Sequence, residues 1–583
     1  MTNYRIYICL WALALPMILS AQSRKDSLTT KVVDVVKSYA PTIADAYKKR
    51  DEVKIKNDSI TVKKKTINYT FNSVPVASTF VPEKGKAAPI EKRTVREDYL
   101  NSYIGAGLGL LNTLMGEANI TYDLNDNSKI SLVADHLSSN GDVPDALPET
   151  NYANTKGTLG YNYQNEALIW GINGYLGRRM HNYYGIRPDV FSKTFLIDKI
   201  SDMQQAYISY GGNAYLQWAN PYFKGFDFSV DALSDSFNSQ EVNLKVKPSF
   251  EVPLIDGQQV QGKLLFDYYE GNFTRQDNFV NEIKNRWMLF GVQPAYHLKA
   301  GNLSAKLGVS MLYVDANQTD DDKFKAYPDV EASYALTPDA ILHGGIKGTM
   351  QQNTLSKLSE RNPYLAPMLE LKPTNVQADA FVGINGKVAT GLQYRVQGSY
   401  RLSKEKPLIT TFTERPIDPN NPLPYQYYNA FGVVYDRVSE IEGKVAMEGN
   451  LKEFFFFTLE GKYNYYKADN QYEHIAWNLP QIQVSLYSDF KILPNLFAGI
   501  DIFYIGNRYD LDYLIGTIEP KKITLNGYID VNLHADYTLN KHFQLFAKAN
   551  NLSAKNHELW AYYHSQGLQI YGGLRFLFGL GKK

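Results

Sequence analysis

Cysteine is almost missing. Cys9 is the only one in 583 residues, so no disulfide framework holds this fold together. Long apolar runs are scarce too. Beyond residue 21 no stretch reaches the roughly eighteen apolar residues of a helical membrane span, which excludes such a span from the rest of the chain. Net charge is nearly nil, +1 from 61 Lys and Arg against 60 Asp and Glu, and no basic excess marks a nucleic-acid binder.

Chemistry-bearing constellations are missing as well. The nine histidines are scattered, with no paired ligand spacing such as His-x3-His. No Ser/His/Asp grouping falls at related positions. The reading is of a protein that is not an enzyme, with no cofactor and no metal site. Asp315, Asn317, Asp320, Asp321 and Asp322 make a loop dense enough in oxygen to hold Ca²⁺. It lacks the glycine and distal Glu of an EF-hand, and a solvated loop is the preferred account.

Aromatics are abundant. There are 44 Tyr, 28 Phe and 6 Trp, with 41 Gly, a composition that suits a membrane barrel with aromatic girdles at both rims. The N-terminus reads as an export signal. Arg5 gives a positive start, Ile6 to Leu19 an apolar core, and Leu19-Ser20-Ala21 a small-residue cleavage site before Gln22. Residues 1–21 are therefore expected to be removed, and Cys9 with them. Residues 22–98 hold 17 Lys and Arg against 10 Asp and Glu, and the remainder holds 43 against 50. The near-neutral total thus joins a basic segment to an acidic body. Pro41, Pro75, Pro82 and Pro89 interrupt the basic segment, which reads as a partly ordered periplasmic extension without a core of its own. Its charge suits a seat at the periplasmic mouth of the body that follows, or a loose tail beside anionic headgroups.

From residue 99 onward the hydrophobic period is two, the signature of strands with one apolar face. Ile523, Leu525, Gly527, Ile529, Val531, Leu533, Ala535 and Tyr537 alternate with polar partners, which predicts one strand over 523–537. A soluble sheet would bury the apolar face; a membrane barrel turns it to lipid. Tight turns such as Asn125-Asp126-Asn127, Thr337-Pro338-Asp339 and Leu493-Pro494-Asn495 alternate with long connections near 351–374, 402–426 and 507–522. That alternation fits short periplasmic turns and long exposed extracellular loops, and favours the barrel. Taking residues 427–450 as one long strand gives about 22 strands and returns both ends to the periplasm. The fold class is all-β: a transmembrane antiparallel β-barrel over 99–583 behind a short N-terminal extension, in the outer membrane of a Gram-negative cell. Glu448, Glu460, Asn526, Asp530, Asn532 and Asp536 fall on the polar face and are the candidate lumen-lining residues.

Tyr528-Ile529-Asp530-Val531-Asn532-Leu533, then Phe543 to Leu552 ending in Asn550-Asn551-Leu552, then Gly572-Gly573-Leu574-Arg575-Phe576-Leu577-Phe578 resemble the closing strands of TonB-dependent receptors. The style of the signal and the Ala21-Gln22 junction resemble Bacteroidota proteins. The resemblance implies a 22-strand barrel and a receptor that moves an unidentified solute across the outer membrane. It also implies a folded plug before the barrel. Residues 22–98 are short for one and do not look like one. Val32, Val33, Asp34, Val35 and Val36 resemble the short box that docks on TonB. The partners implied are outer-membrane lipid, TonB or another periplasmic protein, and the solute. The alternative is a plugless barrel serving as scaffold in an export or assembly complex.

Overall fold

The computed structural model describes residues 100–581, apart from 142, 145, 188–189, 192–202, 255–257, 275–281, 318–321, 413–421, 471–473 and 513–519. The signal, the basic extension and Val32 to Val36 lie outside the described residues.

The strands follow one another as antiparallel hairpins. They are β1 (Ser102–Gly109), β2 (Thr113–Asn125), β3 (Ser128–Ser139), β4 (Tyr152–Gln164), β5 (Leu168–Asn182), β6 (Gln204–Trp218) and β7 (Phe223–Asp235). Next come β8 (Gln240–Pro253), β9 (Gln259–Thr274), β10 (Glu282–Ala300), β11 (Leu303–Ala316), β12 (Phe324–Thr337) and β13 (Ala340–Gln351). A short helix, α1 (Leu355–Arg361), precedes β14 (Thr374–Ala389), β15 (Leu392–Phe412), β16 (Ala430–Leu451), β17 (Phe455–Ala468), β18 (Ile482–Leu493) and β19 (Leu496–Ile505). A separate hairpin, β20 (Arg508–Asp512) with β21 (Lys521–Leu525), stands before β22 (Tyr528–Asn540) and β23 (Phe543–Asn550). The small pair β24 (Glu558–Trp560) and β25 (Tyr563–His564), then β26 (Gln569–Phe578) and β27 (Leu580–Gly581), complete the chain.

Every barrel strand pairs with its neighbours, and β26 pairs with β1 from Ser102↔Phe578 to Gly109↔Tyr571. The result is a closed ring of 22 strands. Closure leaves no open edge, so every ladder donor and acceptor finds its partner inside the wall, which is what a lipid environment demands. β16 is one continuous strand, as the 22-strand count requires.

Side-chain alternation sets the two faces. On β22, Ile529, Leu533 and Tyr537 point outward and are exposed, while Asp536 between them is buried. On β26, Ile570, Leu574 and Phe576 are exposed, and Tyr571 and Arg575 are buried. One ring of connections is tight and built on asparagine. Asn125, Asn165, Asn220 and Asn540 each accept a backbone N–H two residues on, a side-chain substitute for a backbone turn. The β14–β15 turn needs Gly391 at φ +80°, where a Cβ would meet the Asn450 carbonyl.

Two expectations are corrected. The strand expected over 523–537 is broken at Asn526-Gly527. Below the break the chain is barrel strand β22. Above it, Lys521–Leu525 folds back on Arg508–Asp512. Gly527 N–H donates to Asn507 Oδ1 at 2.6 Å, and a Cβ on Gly527 would press on the Ile505 carbonyl. Asn526 therefore sits exposed at the break, outside the barrel strands. The second correction concerns residues 352–373, expected as an exposed loop. They turn into the barrel instead, and Leu355, Leu358, Leu365 and Ala366 are among the most buried side chains of the chain.

Candidate functional site

The largest apolar core of the described residues is formed by loops and by the inward faces of strand ends on the long-loop side. It closes one mouth of the barrel. Its central piece is the segment 352–373 between β13 and β14, here called the strap. Thr354 caps α1, its hydroxyl accepting the Lys357 N–H at 3.2 Å. Leu355 and Leu358 turn to the core on one helical face, and Asn362-Pro363 ends the helix.

The strap is bound by wall side chains from far around the ring. Glu241 on β8 takes the Leu355 and Ser356 N–H groups, each at 2.7 Å, on its two carboxylate oxygens, and the Tyr269 hydroxyl of β9 at 2.8 Å. Arg179 on β5 holds Ser359 through its carbonyl at 3.0 Å and its hydroxyl at 2.8 Å. Tyr207 on β6 donates to the Pro363 carbonyl, Tyr183 to that of Leu365, and Ser239 to that of Pro367. Asn285 on β10 pairs with both Leu369 and Leu371 through one amide side chain. Rooted at β13 and β14 and fastened to β5 through β10, the strap spans the mouth.

Other loops lie over and around it. Tyr364 of the strap stacks on Tyr563 at 3.7 Å, and Tyr184 meets both edge-on. Burial holds the Tyr364 and Tyr563 hydroxyls far above the usual phenol range. Tyr563 donates to the Asn429 carbonyl, and Asn429 in turn donates to that of Tyr183. The β20–β21 hairpin is fastened by three alternate residues, all nearly buried. Arg508 donates to the Leu559 and Glu558 carbonyls. Asp510 accepts from the Thr410 hydroxyl and from the Thr411 and Leu511 N–H groups. Asp512 pairs with Arg187 at 2.6 Å and accepts from the Tyr562 hydroxyl. Desolvation pushes the Asp510 carboxyl up to about 6, and its Oδ2 and the neighbouring Asn478 Oδ1 are both buried acceptors without a donor.

Toward the tight-turn end the inward wall is polar and more open. A cavity of about 810 Å³ is lined there by Gln217, Asp227, Lys247, Lys263 and Gln293 among others. Tyr215 donates to Asn162, and Tyr175 to Asp231. Of the sequence-derived candidates, Glu460 on β17 is held by Lys444 and Lys462 at 2.8 and 2.9 Å, and Glu448 is exposed on β16. Asn532 donates weakly to Asp530 at 3.4 Å. Asp536 pairs with Arg575, which also binds Glu117. These residues sit on three strands and form no single cluster.

Glu241, Arg179, Asn285 and Asp510 escaped sequence reasoning, because lone polar residues on alternating strands carry no local signal. The helix did leave one: Thr354 before Leu355 and Leu358, with Pro363 after. In the acidic loop, Asp315 is taken by Lys323 at 2.8 Å and Arg286 at 3.5 Å. Asp320 and Asp321 lie outside the described residues. Among the described residues no cluster of His, Cys, Asp and Glu could hold a metal ion.

Residues 98–552 match the family described as TonB dependent receptor-like, beta-barrel. Similar solved structures include the ferric-catecholate import receptor Fiu of E. coli K12, at 9% identity and TM-score 0.60, covering 83% of this chain and 82% of that one. The pyoverdine outer-membrane receptor FpvA of Pseudomonas aeruginosa PAO1 aligns at 13% identity and TM-score 0.58, over 82% and 78% of the two chains. The siderophore receptor PiuA of Acinetobacter baumannii aligns at 10% identity and TM-score 0.55, over 82% and 81%. Identities this low speak to the fold alone. No curated protein sequence matches.

Proposed function

The chain belongs to the TonB-dependent receptor-like β-barrel family of the outer membrane, and from that membership we propose that it is a receptor and transporter for a polar solute. The family is one of transporters rather than enzymes. The observation that carries the reading is the wall itself. Its inward face toward the tight turns is lined by amides, hydroxyls and paired charges, while the opposite mouth is shut by the chain's own strap and loops. On this reading Glu448, Glu460, Asp530, Asn532 and Asp536 line the route, and Val32 to Val36 engage TonB or another periplasmic partner.

The test is purification from native membranes in mild detergent, with bound small molecules and proteins identified, followed by flux of the recovered solute into proteoliposomes. A co-purifying solute that crosses the vesicle wall only when the protein is present supports transport. A stoichiometric protein partner with no solute flux replaces it with the scaffold reading. Removing residues 32–36 should abolish energised uptake in cells and leave vesicle flux intact; unchanged uptake removes those residues from the mechanism.

A further inference from the structure

We propose that the strap, residues 352–373, is a gate that leaves the mouth as a unit, and that Glu241 is the residue that keeps it shut. The inference rests on the transport reading for its purpose, and on geometry for its substance.

Three features set the strap apart from a structural loop. Its neck is pinched. Asn353 donates to both the Lys372 carbonyl and the Thr374 hydroxyl at 2.7 and 2.8 Å, just past the last β13–β14 pair, Gln351↔Thr374. The segment beyond the neck can swing without breaking a rung of the barrel ladder. Second, apart from one short backbone bridge, Leu365 against Phe431 of β16, its ties to the wall are side-chain hydrogen bonds made one at a time from separate strands and loops. Such side-chain ties can be exchanged for water singly. Third, the shut position leaves polar atoms stranded at the seam. Gln352 Oε1, Asn362 Nδ2 and Trp287 Nε1 are buried without a partner. Loss of these unmet bonds offsets part of the apolar burial and brings the open position closer in free energy.

Glu241 ties the strap at two points. Its carboxylate is nearly fully buried and receives two N–H groups from the first turn of α1, which also presents the positive end of the peptide dipoles. Beside this tie, Gln352 at the strap's root donates to the buried carboxylate of Asp267, which also takes Lys245 at 3.8 Å.

The test uses the full chain in intact cells, with Lys263→Cys as a reporter in the cavity below the strap. Cys9 is the chain's only native cysteine, and Cys9→Ser in every variant leaves the reporter alone. A charged fluorescent maleimide too large for general porins is added outside. The parent should label slowly. Replacing residues 355–371 by a short Gly-Ser link should make labelling fast. Glu241→Gln should speed it about tenfold, the factor expected from weakening hydrogen bonds to a carboxylate. Parent-like labelling of the Glu241→Gln variant and of a shortened variant that still migrates as a folded barrel overturns the gate. Labelling reports the gate alone and solute flux reports transport, so failure of one leaves the other standing.

Discussion

Single residues here act through the wall they reach across. Arg575 on β26 binds Asp536 on β22 and Glu117 on β2. It reaches β2 because β1 places Gly105 between them, level with both Arg575 and Glu117. A Cβ at Gly105 would stand 2.8 Å from the Glu117 carboxylate. Removing the cation leaves two buried carboxylates unpaired, so Arg575→Met should cost about 3–5 kcal/mol. Adding Glu117→Gln and Asp536→Asn should recover most of that. Heat-modifiable migration measures it, and a single variant that unfolds at the parent temperature refutes the assignment. Asp510 works in the opposite sense. Its carboxyl is raised by burial to about 6, so the folded hairpin binds a proton that the unfolded chain releases near pH 4. Stability is full below that point, falls as pH rises toward about 6, and is flat above, with a loss on the order of 2 kcal/mol. Asp510→Asn should abolish the fall. Hydrogen exchange of residues 508–525 across this range should then be pH-independent beyond its chemical rate, whereas the parent loses protection. Identical profiles would dismiss the idea.

At the scale of elements, what a strand shows in its own sequence is its face, and what it hides is where it stops. The outward Ile529, Val531 and Leu533 and the inward Asp530 and Asp536 are legible from alternation alone. Val531→Arg should therefore cost roughly 2–4 kcal/mol in lipid, with Asp530→Asn tolerated. Normal membrane assembly of the arginine variant in a competition assay would reverse the two faces. The same alternation misled over 523–526. Apolar period two continues through the bend at Gly527, because Ile523 and Leu525 meet a second apolar partner, the loop core, in place of lipid. The strap was misread for a related reason. Glu360, Arg361, Asn362 and Pro363 look like loop, and the wall residues that bury this stretch are more than a hundred positions away in sequence. Periodicity reads local contacts, and the mouth is built from distant ones.

For the molecule as a whole, the order of hairpins assigns each connection a side. The asparagine-built turns should face the periplasm and the loop core the exterior. Cysteines placed at Glu166 and Asn302 should label only after the outer membrane is permeabilised; labelling of intact cells would invert the barrel. The Arg575–Glu117 contact also has a bearing on how the ring comes to exist. Its partners are 458 positions apart, and one belongs to the last barrel strand. A contact so distant cannot form until nearly the whole chain has been delivered, and loop closure of that length rewards nothing on the way. Assembly must carry an unjoined sheet up to its final step, and a chain truncated before β26 leaves β1 and β23 as raw edges. The ion pair at the seam is thus a completion signal: once it forms, both ends are in register and the barrel has no edge left to offer another protein.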